Sequence, residues 1–73
     1  MTQIKLSDGR IWEMSEVKVK NLQLAQKKET DLDKTIYLIA ALTNNTTDDV
    51  ENLPVEDFFE LAEILRVKLD KKK

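Results

Sequence analysis

The only glycine of this 73-residue chain stands in the phrase Ser7-Asp8-Gly9-Arg10, and it fixes where the chain can reverse most tightly. Asp-Gly is a strong short-range hairpin signal, because both residues tolerate positive φ. Before it, Ile4 and Leu6 alternate with Gln3 and Lys5; after it, Ile11, Trp12 and Met14 resume an apolar pattern. Residues 3–17 are therefore predicted to form a β-hairpin. Two strands alone are unstable in water, so the hairpin must lie on something else. The downstream helices are the available partner.

Those helices are legible to different degrees. Residues 18–28 fit either an alternating strand (Val17, Val19, Leu22, Leu24) or a helix, and propensity over Gln23 to Lys28 favours a short helix. Thr30 or Asp31 is an N-cap for a central helix over 31–43, with Asp33 in its first turn. Leu32, Ile36, Ile39 and Ala40 form one face of it. Tyr37, Leu38, Ala41 and Leu42 fill most of the rest, and a helix apolar nearly all round is buried on several sides. Asn44 or Asn45 suits a left-handed stop after Thr43. Thr46 or Thr47 then caps an acidic turn at 48–52, and Pro54 opens a last helix over 54–70. On that helix Val55, Phe58, Leu61, Ala62, Leu65 and Leu69 share a predicted core stripe, with Phe59, Ile64 and Val67 off it. The expected fold is α+β, one domain over 1–73. A two-stranded hairpin packs on three to four short helices, with Ile36, Ile39, Phe58, Leu61 and Leu65 in the core.

Composition narrows what such a fold can do. A chain this short has a thin core and no room for a buried catalytic cavity of ordinary size. It has no Cys and no His, so it offers no thiol nucleophile, imidazole base, disulfide or zinc site of the usual kind. No apolar run approaches about 18 residues, which argues against a membrane partner. The opening Met1-Thr2-Gln3-Ile4-Lys5 has no apolar signal core. Twelve bases against fourteen acids give a net charge of −2, whereas a nucleic-acid binder usually carries a basic excess. The expectation is a non-catalytic binding module without cofactor, metal or nucleic-acid partner.

Several features invite a sharper reading. Asp48, Asp49, Glu51, Glu56, Asp57, Glu60 and Glu63 follow one another without a base. A calcium loop would need a Gly at its sharp turn, and there is none, so the acids read as helix-dipole complements on a solvated face. Asp57 and Glu60 could pair for acid–base work, but no concave apolar surround is predicted to shift their pKa. Phe59, Ile64 and Val67 are candidate protein-binding residues. Their plainer alternative is packing beneath the hairpin or the first helix. Trp12 is either a core anchor or an exposed hot spot. Lys71-Lys72-Lys73 suits a helix C-terminus.

The string Asp33-Lys34-Thr35-Ile36-Tyr37-Leu38-Ile39-Ala40-Ala41-Leu42-Thr43, then Val50-Glu51-Asn52-Leu53, then Val55-Glu56-Asp57-Phe58-Phe59-Glu60-Leu61-Ala62-Glu63-Ile64-Leu65, resembles the small tail assembly chaperones of contractile-tailed bacteriophages. The match lies in an Ile-Ala-x-Leu-Thr-like helix end, an acidic turn closing on a Leu, and an Asp-Phe-centred helix. It covers roughly 31–66, and 3–28 more loosely. Family members often carry a Gly-Leu-type phrase where this chain has Asn44-Asn45-Thr46. The resemblance implies an assembly role without chemistry: binding the tape-measure protein, keeping it soluble and recruiting tail-tube protein subunits. It places the chain in the bacterial host cytoplasm and not in the mature virion. It also gives Lys71-Lys72-Lys73 a second reading as the trace of an adenine-rich frameshift site.

Two rivals remain at the level of sequence. A helix-turn-helix-like DNA-binding regulator could use 31–43 and 54–70, although acids in the last helix would face phosphate. A dimeric adaptor, or another homo-oligomer, could bury Phe59, Ile64 and Val67 against its own copy.

Overall fold

The computed structural model describes residues 2–70; the Lys71-Lys72-Lys73 tail lies outside the described residues. The chain runs β1 (Thr2–Lys5), β2 (Ile11–Met14), α1 (Val19–Ala25), α2 (Asp31–Leu42), α3 (Thr47–Glu51) and α4 (Val55–Asp70). This is an α+β fold, an antiparallel hairpin on four helices, with a Cα radius of gyration of 11.5 Å.

The hairpin pairs Thr2 with Met14, Gln3 with Glu13, Ile4 with Trp12 and Lys5 with Ile11. Period-two alternation sends Ile4, Trp12 and Met14 inward, and Leu6 follows them from the start of the turn. Gln3, Lys5, Ile11 and Glu13 face out. Only Gly9 of the Asp-Gly pair takes positive φ, at 96°. Asp8 serves the turn through its side chain instead. Its carboxylate accepts from the Arg10 backbone N–H at 3.0 Å and from Arg10 Nε at 2.7 Å. The hairpin is shorter than the 3–17 expected, because Ser15 leaves the ladder. Its N–H and its hydroxyl both donate to the Leu42 carbonyl, at 3.0 and 3.2 Å.

α1 spans seven residues rather than the eleven of 18–28. After Ala25 comes Gln26-Lys27-Lys28-Glu29, which has no apolar side chain to bury, and the chain tightens. Lys27 N–H donates to the Leu24 carbonyl and Lys28 N–H to that of Ala25.

α2 begins at Thr30, whose hydroxyl accepts from Asp33 N–H at 3.0 Å. It ends in a Schellman motif. Asn45 N–H reaches the Ala40 carbonyl, Asn44 N–H reaches that of Ala41, and Asn44 sits at φ 62°. Asn is the residue after Gly that most easily takes this conformation. α3 carries a reciprocal capping box between Thr46 and Asp49. At α4 the Pro54 carbonyl takes the first intrahelical bond, from Phe58 N–H.

The core joins Ile4, Leu6, Trp12 and Met14 of the hairpin region to Ala25, to Leu38, Ile39, Ala40 and Leu42 of α2, and to Val50, Leu53, Leu61 and Leu65. Of the five core residues expected, Ile39, Leu61 and Leu65 are buried. Ile36 and Phe58 are half-buried against them.

The main correction concerns α4. Its inward face is Asp57, Leu61, Ile64 and Leu65, with Phe58 and Ala62 beside it. At about 100° per residue, the centre of those four residues lies roughly 80° round the helix from the predicted stripe. Val55 and Leu69, expected inside, are consequently exposed, and Ile64 turns in. One cause is Asp57. It is 4% exposed, and its carboxylate accepts from the Ser7 N–H at 3.1 and 3.3 Å and from the Ser7 hydroxyl at 2.9 Å. Such charge-assisted bonds favour this rotation together with the burial of Leu61 and Leu65.

Candidate protein-binding site

The rotation of α4 leaves a second apolar stripe largely exposed among the described residues. Val55, Phe59, Ala62 and Leu69 fall within an arc of about 80° at ~100° per residue, and the stripe runs ~21 Å along the axis. Val55 is 65% exposed and Phe59 64%. Across from them stands Leu32 at the start of α2, 58% exposed.

Two shallow grooves follow this stripe. One, of about 210 Å³, lies where α2, α3 and α4 converge; Leu32, Ile36, Val50, Leu53, Val55 and Phe58 line it, with Glu51 as its one charged wall. The other, of about 420 Å³, continues along α4 past Thr35, Phe59, Ala62 and Leu69, with Glu63 and Arg66 at its edge. They adjoin where the Phe58 and Phe59 rings stand tilted, centroids 6.1 Å apart. Two aromatic side chains at the junction of an open groove make a firm apolar anchor, because each offers large area at little rotamer cost.

The candidates predicted from sequence separate here. Phe59 lies on the stripe. Val67 is exposed but lies about 80° round the helix from Phe59, on the side of Glu56, Glu60 and Glu63. Ile64 packs against the core, so for it the plainer alternative of intramolecular packing is the one observed. Trp12 is likewise a core residue opposite Ile4, with the Arg10 guanidinium 5.9 Å from its ring centroid. Phe59, Ile64 and Val67 therefore do not form one patch. Leu32, Val55 and Leu69, which sequence reasoning assigned to core faces, take their places beside Phe59. The heptad spacing Val55, Ala62, Leu69 is the signal for a second stripe, and it adjoins the core stripe so closely that periodicity alone does not separate the two.

Acids border the stripe, and one base, Arg66, lies within its arc between Ala62 and Phe59. The segments lining the first groove carry Asp31, Asp33, Asp48, Asp49, Glu51 and Glu56 against Lys34. Glu63 flanks the second and is tied to Arg66 at 2.8 Å, with both side chains largely in solvent. Among the described residues no three acids converge as a metal site, and no helix is long and apolar enough to cross a membrane. An exposed apolar track with polar edges can do one thing chemically, which is to bury a complementary surface.

A protein-family model described as "Phage tail assembly chaperone proteins, E, or 41 or 14" matches residues 12–68. The match begins in β2 and runs through most of α4, so it contains every residue of the track except Leu69. Neither a search of curated proteins nor a search of solved structures found a match.

Proposed function

The chain belongs to the phage tail assembly chaperone family, and from this premise we propose that it binds the tape-measure protein and helps recruit tail-tube subunits. A family of this kind implies a non-catalytic role and phage tail proteins as partners. The observation that carries the finer reading is the exposed track of Leu32, Val55, Phe59 and Leu69, with half-buried Ala62 at its floor. A chaperone for a long helical client needs an apolar surface to lend, and a groove between helices receives the apolar face of an amphipathic helix. It also needs to stay dissolved while lending it, and 36% charged residues serve that end. Phe59 is the central contact. Val67 extends the surface on the acidic side, while Trp12 and Ile64 hold the frame beneath. The protein acts in the cytoplasm of the bacterial host and leaves before the virion matures.

The experiment is affinity capture of the tagged chain in its host during phage induction, with the captured proteins identified by mass spectrometry. Recovery of the tape-measure protein, lost with Phe59→Ser, is the expected result. A longer form of the same chain alongside it would point to the frameshifted product. Capture of DNA, or of the chain's own dimer and nothing else, would overturn the proposal.

A further inference from the structure

We infer that the α2–α4 track selects a helix whose apolar stripe is flanked by Lys or Arg, so that the client is a basic amphipathic helix. This rests on the chaperone reading above and specifies the chemistry of its partner.

The track is bordered by acids at the end where α2, α3 and α4 converge. Glu51 forms a wall of the first groove, and a neighbouring depression is shared by Asp33, Glu51, Thr47, Ile36 and Lys28. Glu56 follows Val55 at the head of α4, and Glu63 stands at the edge of the second groove. Glu63 is balanced by Arg66 at 2.8 Å and Asp31 by Lys34 at 4.0 Å, while Lys28 stands over the Tyr37 ring at 5.6 Å, so the acids left to meet a client are chiefly Asp33, Glu51 and Glu56. A helix docked on the track places its flanking side chains over these carboxylates. Lys or Arg there would be attracted, and Asp or Glu repelled, within a Debye length of about 10 Å.

The same arrangement disfavours a second copy as occupant. An antiparallel α4 pair centred on Ala62 would lay Val55 against Leu69, which suits packing. It would also bring Glu63 against the same residue of the other copy, close to the two-fold axis, with Glu56 and Glu60 on that flank. The track is ~21 Å long, which matches about 14 residues of a client helix.

The test uses the full chain and two synthetic helical peptides of about 14 residues. Both carry the same Leu stripe; one has Lys at the flanking positions and the other Glu. Fluorescence anisotropy reads the affinity of each. The Lys-flanked peptide should bind at least about tenfold more tightly, and the gap should close as NaCl rises from about 50 to about 500 mM. Glu51→Lys with Glu63→Lys should reverse the preference, and Phe59→Ser should weaken both peptides. Circular dichroism checks that each variant folds, and all three positions are solvent-exposed. Equal binding of the two peptides, binding of neither, an unreversed preference, or a stable dimer by sedimentation would each overturn the inference. If the peptides fail while the tape-measure protein is still captured, only the charge selectivity falls. If the peptides behave as expected and no tape-measure protein is captured, the groove's chemistry stands and the client assignment falls.

Discussion

α4 carries apolar side chains on two flanks, and their surroundings differ in kind. The inner flank meets the hairpin and α2, with Leu61 fully buried and Asp57 bonded to Ser7. The hairpin on that side is fastened at both ends, by Ser7 to α4 and by Ser15 to the C-terminus of α2. The outer flank has the same chemistry in Val55, Phe59 and Leu69, yet among the described residues Val55 and Phe59 stand largely open to solvent and Leu69 partly so. Hydrophobicity therefore does not distinguish core from contact surface in this helix. Tertiary contacts do, through the burial of Leu61 and Leu65 and the bond from Ser7 to Asp57.

The inner flank should be costly to disturb. Leu61→Ala removes a fully buried side chain at the meeting of helix and hairpin and should cost about 3 kcal/mol. Against a total stability of roughly 4–10 kcal/mol for a domain of this length, that is a large fraction. Urea denaturation should show a much earlier midpoint, and an unchanged midpoint would remove Leu61 from the centre of the core. Asp57→Ala comes next. It leaves the Ser7 N–H and hydroxyl without their acceptor at a part-buried site, a loss of about 1–3 kcal/mol. If Asp57 sets the rotation of α4, this variant should also alter the environment of Val55 and Leu69. Methyl NMR shifts at both would register it, and shifts confined to Ser7 would break the link between latch and rotation.

A smaller effect sits at the hairpin tip. The Arg10 backbone N–H, and with it the Arg10 guanidinium, holds the Asp8 carboxyl below its ordinary value. The folded pKa lies under the unfolded one, near roughly 3.9. The stabilisation is therefore complete above that value and is lost as pH falls through the folded pKa. Unfolding of the wild type and of Asp8→Asn, compared across pH, should converge at the acid end. A constant difference down to low pH would mean that the carboxylate charge is not what steadies the turn.

The hairpin turn, the Thr30 start and the Asn44 stop of α2 were legible because each is local. A turn residue or a cap acts within four residues of itself, and its chemistry shows in the string. The Ser7–Asp57 contact joins residues fifty positions apart, and in sequence Asp57 is one acid among the seven between Asp48 and Glu63. The apolar arc of α4 was also visible, from Leu61 round to Phe59. Its division into covered and uncovered parts was not, because that depends on which of its edges a distant loop seizes. Periodicity marks faces of a helix; it takes the tertiary contact to say which face has a partner. The exposed apolar track was thus present in the sequence as residues and absent from it as a surface.

The narrowest comparison sets Phe59 beside Ile64, one turn and a fraction further along the same helix. Both lie off the stripe that periodicity assigned to the core, yet Phe59 stands in solvent while Ile64 packs against the core. Ile64→Ala should destabilise measurably, by roughly 1–2 kcal/mol for a half-buried side chain. Phe59→Ser should stay within about 0.5 kcal/mol of wild type, since it opens no cavity and strands no polar group. Removing an exposed ring should also leave solubility equal or better. A clear loss of stability in Phe59→Ser would show that the ring props its neighbour Phe58, 6.1 Å away, and belongs to the fold. An unchanged stability together with lost peptide binding would make Phe59 a residue kept for what it touches outside the molecule. That separation, folding carried by one flank and contact by the other, is what a chaperone requires if it is to release its client and remain folded.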